Sequence, residues 1–438
     1  MLPKGLRRKK SSACFLLAVV LILGTAGCGG KNGEEEATPS AEPGITAPAT
    51  EPTEPASQPT QPEEPTKAAE PTEIPKEVRT NFYVSSLDEE LPSLSEAWKD
   101  YFSVGVALTA NELNNEFKTD LIVQQFNSMT CGNEMKPDFL LDRAKTLSEG
   151  TETCPVLSFR SCDGMLQFCM DNGIKMRGHT LVWHSQTPDW FFMEGYSNHQ
   201  DAVFVSREVM LERMENYIRQ VMEYVNTTYP GVVYAWDVVN EAIAPGDGEE
   251  NGMRVDDSLW YQVIGPDFVE KAFEYARKYA DPEQKLFYND FNTYETSKRI
   301  AIVNLVNKIR EQGNIDGIGM QSHIGMSSPT MDDYETAICK FAETGVEIHI
   351  TELDIGLDSD SEENLLKEGK RYKRLFFLLK NLMDSGKANI TNVTFWGLTD
   401  DGSWLNKDGK RYPLLFNQLL ETKPAFWGVL LDDGIPLY

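Results

Sequence analysis

The chain has 438 residues, of which 41% are hydrophobic and 10% aromatic, so it can bury one large core or two ordinary ones. Its formal net charge of -27 at pH 7 argues against nucleic acids and anionic membrane surfaces as partners. That charge is compatible with a neutral polymer or a small molecule as the ligand, and it says nothing about the fold.

The first 28 residues have the pattern of an export signal. Residues 4–10 are rich in Lys and Arg, and residues 13–23 form an apolar run that is too short to span a membrane. The sequence GTAGC at residues 24–28 resembles a bacterial lipoprotein cleavage site, at which Cys28 becomes lipidated. Thr25 stands where such sites usually carry Leu, so ordinary secretion is the alternative. We expect an extracellular protein whose only membrane contact is a lipid anchor on Cys28.

Residues 29–78 consist mainly of Pro, Thr, Glu, Ala and Ser. This composition is typical of a disordered linker, because it contains too few large apolar side chains to form a core. If the linker is partly extended, it can reach on the order of 100 Å from a membrane. We expect a single catalytic domain after it, at residues 79–438.

From about residue 93, β-branched apolar segments alternate with amphipathic segments, which is the pattern of parallel β/α units. The clearest strand is apolar and β-branched apart from Asp237, as expected for a strand buried on both faces. The predicted strands are residues 103–108, 125–131, 175–182, 232–239, 285–288, 317–321, 347–350 and 390–396. Eight strands are the number in a closed barrel, so the predicted fold class is α/β, a (β/α)8 TIM barrel.

Helices are predicted between these strands, among them residues 207–225, 268–280 and 299–312. Asp267 and Glu270 have the spacing of a capping box at the start of the second of these helices, and a glycine is placed to end the third.

Five cysteines lie in the predicted domain, at Cys131, Cys154, Cys162, Cys169 and Cys339. An odd number cannot pair completely, and no spacing among them matches a zinc site. The pattern favours buried, unreactive thiols, with one disulfide between two of the five as the alternative.

The carboxyl ends of the predicted strands are rich in polar side chains and tryptophan. These residues are Asn133, Lys136, His179, Trp183, His184, Asn240, Glu241, Asn289, Asp290, Asn292, Gln321, His323, Glu352, Asp354, Trp396, Asp400, Asp401 and Trp404. In a barrel these ends meet at one rim. Hydrogen-bonding groups mixed with flat aromatic rings are what binding a sugar requires.

Glu241 and Glu352 follow the fourth and seventh predicted strands, so they can face each other across the barrel. Cleavage of a glycosidic bond uses two such carboxyl groups, about 5–5.5 Å apart in enzymes that retain the anomeric configuration. The alternative interpretation is two unrelated surface acids.

Several longer motifs occur in order along the domain: RGHTLVWH from Arg177, WDVVNEA with Glu241, YNDFN from Tyr288, GIGMQSH from Gly317, ITELD with Glu352 and TFWGLTDDGSW from Thr394. Together they resemble glycoside hydrolase family 10, the retaining endo-β-1,4-xylanases. The resemblance implies hydrolysis of internal β-1,4-xylosidic bonds of xylan by double displacement through a covalent glycosyl-enzyme intermediate. It implies no metal and no cofactor, and we expect a monomer that acts on xylan and xylo-oligosaccharides.

Carried over residue by residue, the resemblance makes Glu352 the nucleophile and Glu241 the acid/base. Asp354 supports His323 beside the nucleophile, and Asn240 contacts the sugar 2-hydroxyl. The remaining matches are sugar contacts: Asn133, Lys136, His179, Trp183, Gln321, His323, Trp396 and Trp404.

One motif departs from the family pattern T-x-E-N-x-M-K-W, because this chain has TCGNEMKPD. Gly132 replaces an acid that contacts a sugar hydroxyl, and Pro137 replaces an aromatic residue. The departure concerns affinity at the distal glycone subsite and leaves the chemistry intact. Glu134 either compensates or points to solvent.

Two other functions stay open. A β-1,4-glucanase of the same clan would share the fold and mechanism, and a carbohydrate-binding protein would use the barrel without turnover. The presence of both carboxylates disfavours the second. His349, at odd spacing from Glu352, is expected to be a core residue and not a ligand.

Overall fold

The computed structural model describes residues 78–246, 251–407 and 409–438 of the chain. The predicted signal segment with Cys28, and the predicted linker up to residue 77, lie outside the described residues. Within the described ranges, no helix combines the length and the apolar composition that crossing a membrane requires.

Eight parallel strands close into a barrel, which confirms the predicted fold class. The strands of the described residues are β1 (Ser103–Leu108), β2 (Ser128–Cys131), β3 (Lys175–Trp183), β4 (Val233–Asn240), β5 (Lys285–Asp290), β6 (Gly317–Met320), β7 (His323–Gly325), β8 (Glu347–Gly356) and β9 (Ile390–Phe395). Pairing runs in order from β1 to β6, then to β8, to β9 and back to β1. The short β7 pairs with the C-terminal end of β8.

Helices lie between the strands in sequence, as expected for β/α units. Those of the described residues are α1 (Leu94–Ala97), α2 (Glu116–Gln125), α3 (Pro137–Leu140), α4 (Arg143–Glu149), α5 (Asp163–Asn172), α6 (Arg207–Thr228), α7 (Leu259–Ile264), α8 (Phe268–Tyr279), α9 (Thr296–Arg310), α10 (Met331–Ala342), α11 (Glu362–Asp384) and α12 (Pro424–Val429). Short 3-10 helices cover Ala110–Asn114, Asp189–Phe192, Glu194–Tyr196 and Asp400–Gly402.

Helix α6 shows how the sequence builds the outer layer. Its buried side chains recur every three or four residues and belong to the main core: Met210, Met214, Tyr217, Ile218, Val221, Met222 and Val225. The helix begins after Ser206, whose hydroxyl accepts a hydrogen bond from the Val209 amide at 3.3 Å. The apolar stripe and the cap therefore fix both the position and the start of the helix.

Most predicted strand limits lie within two residues of the observed ones, but two predictions were wrong by three residues or more at one limit. The second strand begins at Ser128 and not at residue 125, because Gln125 ends α2 and its buried side chain accepts a hydrogen bond from the Leu94 amide at 3.1 Å. The seventh predicted strand, here β8, continues to Gly356, so Glu352 lies inside it and not beyond its end. The extension exists because β7 pairs with it.

The predicted capping box at α8 was also wrong. Asp267 precedes the helix but makes no side-chain cap; its carboxylate instead accepts two hydrogen bonds from Arg207, at 2.8 and 2.7 Å. Glu270 forms an ion pair with Lys308. A charged partner on a neighbouring helix is a stronger hydrogen-bond donor than a backbone amide, so both acids are drawn away from the cap. Gly313 follows α9 with a φ of 75°, as predicted for a residue that ends a helix.

All five cysteines are free, so the disulfide alternative was wrong. Cys131, Cys162 and Cys169 are buried, as predicted, and burial raises the pKa of both Cys162 and Cys169 to about 12. Cys154 and Cys339 are partly exposed, which the prediction of buried thiols did not anticipate.

Candidate active site

Glu352 lies in β8 at the carboxyl end of the barrel, with 5% of its surface exposed. Its Oε1 accepts a hydrogen bond from Asn289 Nδ2 at 2.8 Å, and its Oε2 accepts one from His323 Nε2 at 3.1 Å. Burial acts to raise the pKa of Glu352, but the His323 hydrogen bond and the positive charges of His179 and His323 outweigh burial and hold that pKa below its usual value. Glu352 is therefore ionised at neutral pH and held in one orientation.

Glu241 follows β4 and shows the opposite electrostatics. Its Oε1 accepts hydrogen bonds from Gln321 Nε2 at 2.9 Å and Asn240 Nδ2 at 3.2 Å. Burial raises the pKa of Glu241, and the negative charges of Asp290 and Glu352 raise it further. The two carboxyl groups thus have their pKa values displaced in opposite directions, which is the arrangement that separates an acid from a nucleophile.

His184 lies beside Glu241, with its Nδ1 4.0 Å from Glu241 Oε2, beyond hydrogen-bond distance. Burial, together with the charges of Arg254 and Lys298, lowers the pKa of His184 to about 3. The imidazole is therefore neutral and places no positive charge next to Glu241.

Asn289, at the end of β5, connects the two halves of the site. Its Nδ2 donates to Glu352 Oε1 at 2.8 Å and to Asn240 Oδ1 at 3.0 Å, while its Oδ1 accepts from Thr351 Oγ1 at 2.6 Å. Because Asn289 Oδ1 accepts the hydrogen bond from the Thr351 hydroxyl, the other end of the amide, Nδ2, faces Glu352. The side chain of Asn289 therefore fixes the relative position of Asn240 and Glu352.

His323 is held against Glu352 by Asp354. The parallel pairing of β7 with β8 sets His323 opposite Asp354, and His323 Nδ1 lies 2.9 Å from Asp354 Oδ2. Burial acts to lower the pKa of His323, but the charge and hydrogen bond of Asp354, assisted by Glu352, raise it to about 10. Trp404 Nε1 donates to the same Asp354 oxygen at 2.8 Å. The imidazolium thus donates to both carboxylates.

A second group of predicted residues lies after β2 and β3. Lys136 Nζ donates to Asn133 Oδ1 at 3.2 Å and to Gln186 Oε1 at 2.9 Å, and it lies 5.0 Å from the centroid of the Trp183 ring. Burial lowers the pKa of Lys136, although the charges of the nearby glutamates oppose this. These side chains form a cationic, hydrogen-bonding wall beside the carboxyl pair.

Aromatic rings join the two groups. The Trp396 ring centroid is 5.5 Å from that of His179 and 6.2 Å from that of His323, and His179 lies 6.4 Å from Trp183. The Trp404 ring centroid is 5.0 Å from that of His323. Every domain residue to which the resemblance gives a role therefore belongs to one connected set of contacts at the barrel mouth.

Below this set, Asp237 organises the barrel interior. Its carboxylate accepts two hydrogen bonds from Arg177, at 3.0 and 2.6 Å, and lies 2.9 Å from His179 Nδ1. Arg177 Nε also donates to His349 Nδ1 at 3.0 Å, and burial with the charge of Arg177 lowers the pKa of His349 well below its usual value. His349 is therefore a neutral core residue, as predicted.

Replacing Asp237 with alanine should lower the free energy of unfolding by about 3–5 kcal/mol, because it leaves the Arg177 charge buried without its partner. Urea denaturation at pH 7 measures this loss. Glu363→Ala is the control, since Glu363 forms an exposed ion pair with Lys367 on α11, and we expect no measurable change there. A loss in Asp237→Ala no larger than in the control would contradict the interpretation.

The departure from the family pattern has a structural counterpart. Glu134 does not point to the site or to solvent: it is buried and accepts hydrogen bonds from the amides of Ala110 at 2.7 Å and Asn133 at 3.1 Å. A Cβ atom at Gly132 would lie 3.2 Å from the Leu108 carbonyl oxygen, so the backbone there is closely packed. Glu134 therefore does not replace the acid that is missing at Gly132.

Sequence reasoning did not assign roles to four residues of the site: Asn289, Asp237, Gln186 and His184. The sequence does mark Asp237 as unusual, because it is an acidic residue inside an otherwise apolar predicted strand. Asn289 also stood at a predicted strand end. Gln186 lies in the loop after β3 with a φ of 45°, and no local pattern points to it.

Metal binding is not indicated in the part of the chain that the structure describes. No group of three or more His, Cys, Asp or Glu side chains in residues 78–246, 251–407 and 409–438 is arranged to hold a metal ion.

Comparisons with known proteins find similar sequences and similar solved structures. Endo-1,4-beta-xylanase B of Butyrivibrio fibrisolvens is 44% identical over 352 residues, which cover 78% of this chain and 54% of that protein. Endo-1,4-beta-xylanase A of Thermotoga maritima is 43% identical over 359 residues, which cover 80% of this chain and 31% of that protein. The chain thus spans between about a third and about half of the length of these relatives.

Among solved structures, the chain is similar to the CBM22-1 and GH10 modules of endo-1,4-beta-D-xylanase 10B from Clostridium thermocellum, in complex with xylohexaose. The TM-score is 0.71 at 37% sequence identity, and the match covers 79% of this chain and 67% of that chain. The sequence profile described as Glycosyl hydrolase family 10 matches residues 93–431. The chain therefore belongs to glycosyl hydrolase family 10.

Proposed function

We propose that this protein is a retaining endo-β-1,4-xylanase. The observation that carries the proposal is the pair Glu241 and Glu352 in one hydrogen-bonded site, with the pKa of the first raised and that of the second lowered. Family membership and the names of the similar proteins, which are xylanases, support xylan as the substrate.

In the first step, an ionised Glu352 oxygen attacks the anomeric carbon while Glu241 gives its proton to the leaving glycosidic oxygen. The product is a covalent glycosyl ester on Glu352 and a released sugar chain. Hydrogen bonds from Asn289 and His323 hold the attacking carboxylate in place.

In the second step, Glu241 takes a proton from water, and that water attacks the anomeric carbon and releases Glu352. The electrostatics of the site allow Glu241 to change roles. Once Glu352 is esterified, its negative charge no longer raises the pKa of Glu241, so the carboxylate form becomes more favourable. Two inversions at the same carbon give net retention.

The sugar contacts follow from the two groups of side chains. The cationic wall of Asn133, Lys136 and Gln186 offers donors and acceptors to hydroxyl groups, and Trp183, Trp396 and Trp404 offer flat apolar faces to the rings. Asn240 lies between Asn289 and Gln321, where its amide can contact the hydroxyl next to the reacting carbon.

The test is release of reducing sugar by the full-length protein from glucuronoxylan, carboxymethylcellulose and mannan in parallel. Release from xylan predominantly supports the proposal. Preference for carboxymethylcellulose would instead indicate a β-1,4-glucanase with the same fold and mechanism. No release from any polymer would favour a carbohydrate-binding function.

The acid limb of the pH profile should depend on His323. Replacing His323 with Gln removes the positive charge beside Glu352, so the pKa of Glu352 should rise and the acid limb of kcat/KM should move toward higher pH. Initial rates on an aryl β-xylobioside between pH 3 and 8 measure this. His199→Gln, in an exposed loop, is the control, and an acid limb that is the same in both variants would contradict the role of His323.

We further propose that the protein is a monomeric lipoprotein, displayed on the outer face of the cell membrane through Cys28. The support is the sequence GTAGC after a short apolar run. Cys28→Ala should move the protein from the membrane fraction to the medium or leave its signal uncleaved; an unchanged membrane fraction with a processed N-terminus would refute the anchor.

A further inference from the structure

The connection between β9 and α12 carries Trp404 into the site. Trp404 Nε1 donates to Asp354 Oδ2 at 2.8 Å, and Asp354 in turn holds His323 against Glu352. Among the described residues of this connection, the 3-10 helix Asp400–Gly402 is the only helix or strand. A cavity is lined by Asp400 and Tyr412 of this connection and by Leu365 of α11. The position of Trp404 therefore depends on specific side-chain contacts.

Lys423 contacts both ends of the stretch from Asp400 to Leu414, which contains Trp404. Its Nζ lies 3.0 Å from Asp400 Oδ2 and donates to the carbonyl oxygens of Tyr412 at 2.8 Å and Leu414 at 2.7 Å. Asp400 Oδ1 also accepts from the Leu414 amide at 2.9 Å. Lys423 is 2% exposed, so these bonds do not compete with water. The Lys423 ammonium group thus joins Asp400 to Tyr412 and Leu414, and so bridges the two ends of the segment that contains Trp404.

Close contact between α11 and α12 fixes Lys423 in turn. A Cβ atom at Gly428 would lie 2.2 Å from the carbonyl oxygen of Gly369, and one at Gly369 would lie 2.7 Å from that of Pro424. The two helices therefore touch through their backbones. Lys423, next to the first residue of α12, is brought within 3.3 Å of Glu368, next to Gly369.

Glu368 is completely buried, and its carboxyl group forms no hydrogen bond of ordinary geometry within the described residues, although its Oε2 lies 3.3 Å from Lys423 Nζ. Burial and the charge of Asp400 raise the pKa of Glu368 to about 8, against the opposing effect of Lys423. Among the other titratable groups, Tyr83 and Tyr372 interact with Glu368, and Asp401 interacts with Asp400; burial raises the pKa of both tyrosines above its usual value. A protonated Glu368 leaves Asp400, 3.0 Å from Lys423 Nζ, as the ion-pair partner of Lys423.

We propose that Lys423 is a positioning residue that, through Asp400, holds the Trp404 segment against Asp354 and so keeps His323 and Glu352 in their reactive arrangement. The kinetic part rests on the proposed function. Lys423 touches none of the catalytic or sugar-contact residues, and it acts only through the segment that it closes.

A double-mutant cycle in the full-length protein tests this role. Lys423→Met, Trp404→Phe and the double variant are compared by kcat/KM on an aryl β-xylobioside. We expect each single variant to lose between about 10- and 100-fold, as for misplacement of a substrate-binding group. The double variant should lose no more than the larger single loss, because both changes act through one contact. Multiplied losses would overturn the proposal.

Lys373→Met is the matched control. Lys373, on α11, also donates hydrogen bonds from Nζ to backbone carbonyl oxygens, to that of Asp432 at 2.9 Å and to that of Ile435 at 2.8 Å. It does not contact the Trp404 segment. We expect kcat/KM within twofold of the parent. An equal loss in Lys373→Met and Lys423→Met would show that general destabilisation, and not positioning, explains the effect.

A second measurement does not need activity. In full-length protein labelled with 5-fluorotryptophan, Trp404→Phe assigns the Trp404 resonance in the 19F NMR spectrum. That resonance should shift in Lys423→Met and stay in place in Lys373→Met. In the parent it should titrate with a midpoint of about 8, and in Glu368→Gln it should not. An unmoved resonance in Lys423→Met overturns the proposal, whereas absent sugar release by the parent would count only against the proposed function.

Discussion

Replacing Glu352 with alanine should lower kcat on xylan by about 10⁴-fold or more, the scale on which removal of a nucleophile acts. The structure gives the physical reason. Asn289 and His323 each donate a hydrogen bond to one oxygen of the Glu352 carboxylate, and the alanine variant leaves both donors without the group that attacks the anomeric carbon. Reducing-sugar release at the pH optimum of the parent measures the loss.

Glu347→Ala is the control for this variant, because Glu347 lies at the other end of the same strand and pairs with Lys285. We expect nearly full activity there. Sodium azide should restore turnover of an activated aryl β-xylobioside by Glu352→Ala and give the α-glycosyl azide, since azide attacks from the face that Glu352 has vacated. Parent-level activity without azide would rule out Glu352 as the nucleophile.

Replacing Glu241 with alanine should have an effect that depends on the leaving group. On xylan, whose leaving oxygen needs a proton, kcat/KM should fall by about 10²- to 10⁴-fold, the usual contribution of a general acid. With a 2,4-dinitrophenyl β-xylobioside, which leaves without protonation, kcat/KM should change less than tenfold. Burial and the charges of Asp290 and Glu352 raise the pKa of Glu241 and so favour the protonated form that the first step needs on xylan.

Azide separates this variant from the previous one. In Glu241→Ala it should accelerate the second step and give the β-glycosyl azide, because the glycosyl ester on Glu352 still forms. Glu295→Ala, at the residue before α9, serves as the control and should behave like the parent. Equal losses on xylan and on the dinitrophenyl substrate would contradict the assignment of Glu241 as the acid/base.

The barrel could be predicted from sequence because parallel strands buried on both faces have a strong local pattern. The errors occurred where long-range contacts override local ones. Asp267 matched a capping pattern but binds Arg207 of another helix. The extension of β8 depends on β7, three residues whose pairing no local pattern encodes.

For the site, the residue types at the strand ends indicated a sugar-binding mouth, and the family motifs named the twelve domain residues that the structure brings together. The resemblance also places His323, supported by Asp354, beside Glu352, and the structure contains both contacts. The charge of Asp290, which helps to raise the pKa of Glu241, could not be predicted, because no local pattern joins two residues so far apart in sequence. The same holds for Lys423, which is 19 residues from Trp404 in sequence and touches neither Glu241 nor Glu352.

Glu241 has a φ of 59°, in the left-handed region that side chains other than glycine rarely adopt. This turn of the backbone is what allows two consecutive residues, Asn240 and Glu241, to reach the same Gln321 amide, although neighbours in a regular strand point to opposite faces. The conformation costs about 1–2 kcal/mol relative to an ordinary one. Glycine adopts this φ without that cost, so replacing Glu241 with glycine removes the backbone strain together with the acid. A search for thermostable variants that does not measure turnover should therefore favour an inactive sequence at this position.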